Sequence, residues 1–142
     1  MFKHENITSF SEIKLRLSGM RITEVYEILC LGDEAEISLY WLSYENHKDN
    51  YHLRQRATVP ADDMIDLMNR CGVLKWDGFS GKNPPHVRDG TMFTFTAMVN
   101  DGRRIYADGS NNFPKHYRDF TDALNRMLEE NANDNMKESS LC

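Results

Sequence analysis

The chain has 142 residues, 40% of them hydrophobic and 27% charged, which suits one folded domain and is too short for two ordinary ones. Its formal net charge is −5, and much of that charge lies in residues 129–142, so the remaining residues are close to neutral. A near-neutral domain lacks the broad basic surface that holds a nucleic-acid backbone, and we therefore expect no extended nucleic-acid binding.

The sequence also bears on cellular location. No apolar run approaches the roughly 20 residues that cross a bilayer, and the polar N-terminal residues do not resemble a signal peptide. The cysteines, Cys30, Cys71 and Cys142, are odd in number and far apart, which indicates no disulfide framework. We therefore expect a cytoplasmic protein that makes no contact with a membrane.

Four strands are predicted in the first 60 residues by alternating apolar and polar side chains. Their predicted ranges are 11–17, 22–31, 35–42 and 51–59. Residues 46–50 form a polar connection between the third strand and the fourth. In the fourth strand the alternation places on one face Tyr51, Leu53, Gln55, Ala57 and Val59. This order predicts a meander of antiparallel strands.

The next segment is predicted to be a helix that begins near Pro60 and stops at Gly72. Its apolar stripe consists of Met64, Leu67, Met68 and Cys71. Two further strands, at residues 91–99 and 103–107, are joined by a turn at Asp101 and Gly102, a strong hairpin signal.

A second helix is predicted to begin near Pro114, with apolar residues at helical spacing as far as Leu128. Residues 129–142 are polar and acidic and are predicted to be a disordered tail, which leaves residues 1–128 as one globular domain. The predicted fold is therefore α+β, an antiparallel sheet of about six strands in the order ββββαββα with both helices on one face.

No pattern in the sequence indicates catalysis, a cofactor or a metal site. Cys71 lies on the apolar stripe of the first helix, where a thiol is usually core, and the histidines show no paired ligand spacing. A hydrolase that uses His86 and Asp89, three residues apart in a loop, is one hypothesis, and exposed turn residues are the other interpretation. We expect a protein that is not an enzyme and binds no metal.

The turn-rich stretch over residues 74–114 contains the candidate binding residues. They are Trp76, Asp77, His86, Arg88, Asp89 and Asn111. Tryptophan and arginine supply much of the energy of protein interfaces, and the proline pair at Pro84 and Pro85 stiffens the loop that carries His86 and Arg88. The alternative for Trp76 is that its ring folds back to close the core.

A second kind of site is suggested at residues 109–115, where a Gly-Ser-Asn-Asn segment leads into the second helix. The first amides of a helix attract anions, and Lys115 with Arg103 or Arg104 would add positive charge. The alternative is that the asparagine and serine residues only cap the helix, Asn111 and Asn112 among them, while the glycine makes the turn. The anion hypothesis predicts a protein that binds or sequesters a nucleotide or a phosphorylated metabolite.

Residues 74–128 resemble a group of small, uncharacterised proteins and lipoprotein domains of Firmicutes and Actinobacteria. The shared pattern comprises Trp76, Gly78 and Phe79; Asp89 and Gly90; Phe93 and Phe95; Asp101 and Gly102; and Gly109, Ser110, Asn111, Phe113 and Pro114. The resemblance implies no established activity. Unlike the lipoprotein members, this chain begins with neither a signal sequence nor a lipid-accepting cysteine.

Taken with the missing catalytic signature, these residues lead us to expect a non-enzymatic protein-binding module that uses residues 76–90 and 109–116. A small acidic chain of this kind is suited to act as a phage or mobile-element inhibitor of a host defence system. The alternatives are the small-ligand protein and the hydrolase described above.

Overall fold

The computed structural model describes residues 6–19, 22–81 and 91–131. These residues form a seven-stranded mixed sheet and two α-helices, which confirms the α+β class. The elements in chain order are β1 (Phe10–Ser18), β2 (Thr23–Leu31), β3 (Glu34–Glu45), β4 (Lys48–Pro60), α1 (Ala61–Arg70), a 3-10 helix (Val73–Trp76), β5 (Ser80–Gly81), β6 (Met92–Val99), β7 (Arg103–Ser110) and α2 (Tyr117–Glu130). No helix among the described residues is long and apolar enough to cross a membrane.

The order of strands in the sheet is β4-β3-β2-β1-β6-β7-β5. Neighbouring strands are antiparallel except β5, which pairs with β7 in parallel and makes the sheet mixed. The prediction of six antiparallel strands was therefore wrong by one short edge strand. Two residues are too few to show an alternating pattern, so the sequence contains no signal for β5.

Both helices pack on one face of the sheet, which we call the helix-covered face. Leu15 of β1 lies there between Tyr26 of β2 and Phe95 of β6. The Tyr26 hydroxyl donates a hydrogen bond to Asn125 Oδ1 of α2 at 2.6 Å, which ties that helix to the sheet. The buried helical side chains are Ala61, Met64, Leu67 and Met68 of α1 and Phe120, Leu124 and Leu128 of α2.

A β-bulge in β4 changes which face its first half presents. Leu39 pairs with Gln55, but the next residue, Tyr40, pairs with Leu53, so one extra residue lies in β4 at position 54. An extra residue shifts the phase of the side chains by one. Leu53 and Tyr51 therefore lie on the helix-free face, and the prediction that they share a face with Ala57 was wrong.

The turn between β3 and β4 is also shorter than the polar connection predicted for residues 46–50. Glu45 pairs with Lys48, which leaves Asn46 and His47 as a two-residue loop. Both have positive φ, 54° and 64°, as a type I′ hairpin turn requires. The strands therefore continue almost to the tip and form a long hairpin.

The second helix begins three residues later than predicted, at Tyr117. Pro114 lies in a turn that precedes it, where its carbonyl accepts a hydrogen bond from the Tyr117 amide at 3.1 Å. The cap residue is His116, with φ of 68° and no side-chain cap, so the interpretation of Asn111 and Asn112 as caps was wrong. The helix ends at Glu130, two residues into the segment that was predicted as tail.

Candidate functional site

Trp76, a candidate binding residue, lies inside the protein with only 2% of its surface exposed. Its ring meets the edges of Phe95 and Phe120, with centroids 5.0 and 5.4 Å away. Its indole Nε1 donates a hydrogen bond to the carbonyl of Lys115 at 3.0 Å. The ring thus closes the core beside the N-terminus of α2. It can influence the protein surface only indirectly, by holding the backbone at Lys115 in place.

Asp77 and Asn111 both bond to the backbone of neighbouring segments. Asp77 Oδ1 accepts the amide of Tyr106 at 3.0 Å, next to the short parallel pairing of β5 and β7. The Asn111 amide donates to the carbonyl of Thr91 at 2.9 Å, and its Oδ1 accepts the Thr91 amide at 3.1 Å. These contacts give both side chains a role in holding the end of the sheet.

The remaining candidates, His86, Arg88 and Asp89, lie outside the described residues. The hydrolase hypothesis rests on His86 and Asp89 and therefore stays a prediction. The surface predicted over residues 76–90 and 109–116 is described only in part, and its described members include the buried Trp76.

A cysteine, a histidine and an aspartate do border one cavity between α1 and α2: Cys71, His116 and Asp119. The imidazole Nδ1 of His116 lies 3.1 Å from Asp119 Oδ2. However, burial and then the charge of Asp119 raise the pKa of the Cys71 thiol, whereas a nucleophilic cysteine needs a lowered pKa. In the part of the chain that the structure describes, no His, Cys, Asp and Glu side chains are grouped to hold a metal ion.

We expect the Cys71 thiol to react slowly with iodoacetamide in the folded protein, at least about tenfold more slowly than Cys30, which is partly exposed. Timed labelling followed by peptide mass spectrometry measures both rates in one sample, and the same measurement in denaturant is the control in which the two rates converge. A native Cys71 that reacts faster than Cys30 would show an activated thiol and would reopen the catalytic interpretation.

A group of exposed apolar side chains lies instead on the hairpin of β3 and β4. We call Tyr40, Leu42, Tyr44, Tyr51 and Leu53 the hairpin patch. The exposed fraction is 70% for Tyr44, 49% for Tyr51 and 41% for Leu53. The register pairs Tyr40 with Leu53 and Leu42 with Tyr51, so the five side chains share the helix-free face. Tyr40 and Tyr51 meet edge to face, with ring centroids 5.6 Å apart.

The hairpin projects beyond β2 and then bends back over the helix-free face. The pairing of β2 ends at Leu42, and three further residue pairs of the hairpin extend past it. The strand register aligns Arg16 of β1 with Leu53 of β4, three strands away. Asp49 lies four residues further along β4, so in a flat sheet it would be roughly 19 Å from Arg16. An ion pair nevertheless joins Arg16 Nη1 to Asp49 Oδ2 at 3.6 Å. The hairpin therefore curves toward β1.

The opposite face of the hairpin is stiffened by a stacked pair. The rings of Trp41 and His52 are 4.1 Å apart between centroids and 18° from parallel. His52 Nε2 lies 2.8 Å from Ser43 Oγ, which orients the imidazole. These contacts hold the projecting strands together from the side away from the hairpin patch.

Sequence reasoning did not identify the hairpin patch, because it placed Tyr51 and Leu53 on the same strand face as Ala57 and Val59. One signal was present: from Tyr40 to Leu42, aromatic and aliphatic residues occupy both phases of the strand pattern. A strand with apolar side chains on both faces either is covered on both faces or leaves one apolar face exposed to solvent. Comparison of the chain with protein-family models, curated proteins and solved structures finds no match.

Proposed function

We propose that this chain is a non-enzymatic protein-binding module and that the hairpin patch is the surface that engages its partner. The observation that carries the proposal is the concentration of exposed tyrosine and leucine on one face of a projecting hairpin. A contiguous apolar surface costs free energy in water, and on folded proteins it marks sites that another molecule covers.

The composition of the hairpin patch favours a protein as that molecule. Tyrosine is enriched among the residues that dominate protein interfaces, because its ring gives a large contact area with few rotatable bonds and its hydroxyl can still bond to a partner. The patch also extends over both strands of the hairpin, on the side toward which the hairpin curves, and a surface of that extent suits a macromolecule better than a small ligand.

The hairpin is held in place before any partner arrives. The ion pair of Arg16 with Asp49 links the hairpin to β1, and Trp41 stacks on His52 across its two strands. A surface that is already ordered loses less conformational entropy on binding, which raises affinity for the same contacts.

The experiment compares the wild-type chain with the double variant Tyr44→Ser/Tyr51→Ser as baits in a lysate of the native host. We expect at least one protein to be retained by the wild type and reduced about tenfold or more by the variant, as befits the loss of two interface tyrosines. Reconstitution of the purified pair, with a measured Kd, then establishes direct binding.

The matched control is Tyr106→Ser, which removes an exposed tyrosine from β7 on the same sheet face but away from the hairpin. This control should retain the partner as the wild type does. Equal loss with both variants contradicts the assignment to the hairpin. A wild-type dimer in sedimentation that the double variant abolishes would contradict it too, because the patch would then bind a second copy of this chain.

An inhibitor of a host defence system, encoded by a phage or mobile element, is one biological form of this proposal. It makes the narrower prediction that the protein retained by the hairpin patch belongs to such a system.

A further inference from the structure

A second surface, independent of the hairpin, has the features of a small-molecule site. A cavity of about 700 Å³ lies between the end of α1, the 3-10 helix and the residues that precede α2. Its volume falls within the range of roughly 300–1,000 Å³ that is usual for ligand sites. We call it the basic groove, after the basic residues that line it: Arg70, Lys75, Arg103, Lys115 and His116.

The charge of the basic groove is opposite to that of the chain. Its lining contains four permanent cations and a histidine, and no aspartate or glutamate is among the described residues that line it, although the chain carries −5 overall. Lys75 and Lys115 form no ion pair with another described residue. Positive side chains around a concave surface focus the electrostatic potential and raise the local concentration of anions.

The backbone that carries these cations is held firmly. Gly72, with φ of 67°, ends α1 and turns the chain into the 3-10 helix that positions Lys75. The indole of Trp76 bonds to the carbonyl of Lys115 and joins the two sides of the groove. His116 has a φ of 68°, unusual for a residue with a side chain, and Asp119 orients its ring. The groove is therefore largely formed before any ligand binds.

Apolar surface lies beside the cations. Leu74 and Phe79 border the groove and are each only partly buried, so they can cover the carbon skeleton of a ligand. This lining matches a ligand that combines a compact group of more than one negative charge with an adjoining carbon skeleton. Cys71 also borders the groove, and burial together with the charge of the nearby Asp119 raises the pKa of its thiol, which is the opposite of what an activated nucleophile needs.

From these features we infer that the basic groove binds the phosphate group of a small organic phosphate ester and does so without chemical turnover. The site is separate from the hairpin patch, and neither proposal depends on the other. It retains Lys115 and Arg103 from the anion site predicted by the sequence and adds Arg70, Lys75 and His116. Arg104 does not line the groove, because it lies on the other face of β7.

The test uses AMP, ribose 5-phosphate and phenyl phosphate as probes, with adenosine and ribose as the matched compounds that lack phosphate. Amide chemical shifts of the intact chain are followed by NMR during each titration. We expect the phosphorylated probes to shift the amides of residues 72–76 and 115–117, and the compounds without phosphate to leave them unchanged.

The variant Lys75→Gln/Lys115→Gln removes two charges at the groove, and its control, Lys14→Gln/Lys48→Gln, removes two charges from β1 and the hairpin. The groove variant should weaken the phosphorylated probes by about tenfold or more, and the control by less than about twofold. Since neither pair includes a residue of the hairpin patch, capture of the protein partner should be unaffected by the groove variant.

Three results would overturn the inference. The first is the absence of shifts at the groove with all three phosphorylated probes at about 10 mM, a concentration that detects even millimolar affinity. The second is an equal loss of binding in the groove variant and its control. The third is tighter binding of an acidic peptide or of single-stranded DNA than of any probe, which would make the groove a macromolecular site.

Discussion

Replacing Trp76 with alanine is expected to lower the free energy of unfolding by about 3–5 kcal/mol, because a large, fully packed ring is removed and a cavity remains. The ring lies between Phe95 and Phe120 and is almost completely buried. The substitution also leaves the carbonyl of Lys115 without the hydrogen bond from the indole. The loss should therefore extend to the segment that precedes α2.

Urea denaturation of the purified variant measures this change, and Trp41→Ala is the matched control. Trp41 is partly exposed, and its one ring contact among the described residues is with His52, so its removal should cost about 1 kcal/mol or less. Similar costs for the two variants would contradict the placement of Trp76 in the core. Trp76 was predicted to bind a partner. If Trp76→Ala binds a partner less well, the stability of the variant has to be measured before the loss is attributed to a direct contact with Trp76.

Replacing Gly109 with alanine is expected to destabilise the protein by about 3 kcal/mol. A Cβ at this position in β7 would lie 2.2 Å from the carbonyl oxygen of Asn112 and 2.7 Å from Cε1 of Phe93. The first of these atoms belongs to the backbone and the second to a buried ring, so neither can move away cheaply. To make room for the added Cβ, Asn112 and Phe93 would have to move away from the end of β7.

The control for Gly109→Ala is Gly19→Ala, where the added Cβ would meet only the carbonyl of Ile22 at an ordinary 3.7 Å. That variant should change the free energy of unfolding by less than about 1 kcal/mol. Thermal melts of both variants provide the comparison. If Gly109→Ala were as stable as Gly19→Ala, the close approach of Asn112 and Phe93 to Gly109 would be wrong.

The local patterns of the sequence predicted the elements that repeat over several residues. Met64, Leu67 and Met68 recur at helical spacing and are buried on α1, and Phe93 and Phe95 alternate and are buried on β6. The same holds for the stop at Gly72, whose positive φ suits a residue without a side chain. Such signals are readable because they involve residues within about two turns of one another.

The candidate binding residues were less predictable from their own type. Trp76 and Asn111 are chemically suited to recognition, yet the structure uses the first in the core and the second to bond to Thr91. An aromatic or amide side chain can serve either in recognition or in holding the fold together, and only its neighbours in space show which of the two roles it has. Phe95 and Phe120 are the neighbours of Trp76, and Thr91 is the neighbour of Asn111. All three neighbours are distant in the sequence from the residue that they contact.

The composition and periodicity of this sequence were enough to predict an α+β domain with two amphipathic helices and a hairpin near Asp101. The two surfaces proposed for binding depend on contacts between distant residues. One extra residue in β4 moves Tyr51 and Leu53 to the helix-free face, and the Arg16–Asp49 ion pair shows how far the hairpin curves. The basic groove likewise forms only when folding brings together cations that are up to 45 residues apart in the chain, because their charges add up in space and not along the sequence.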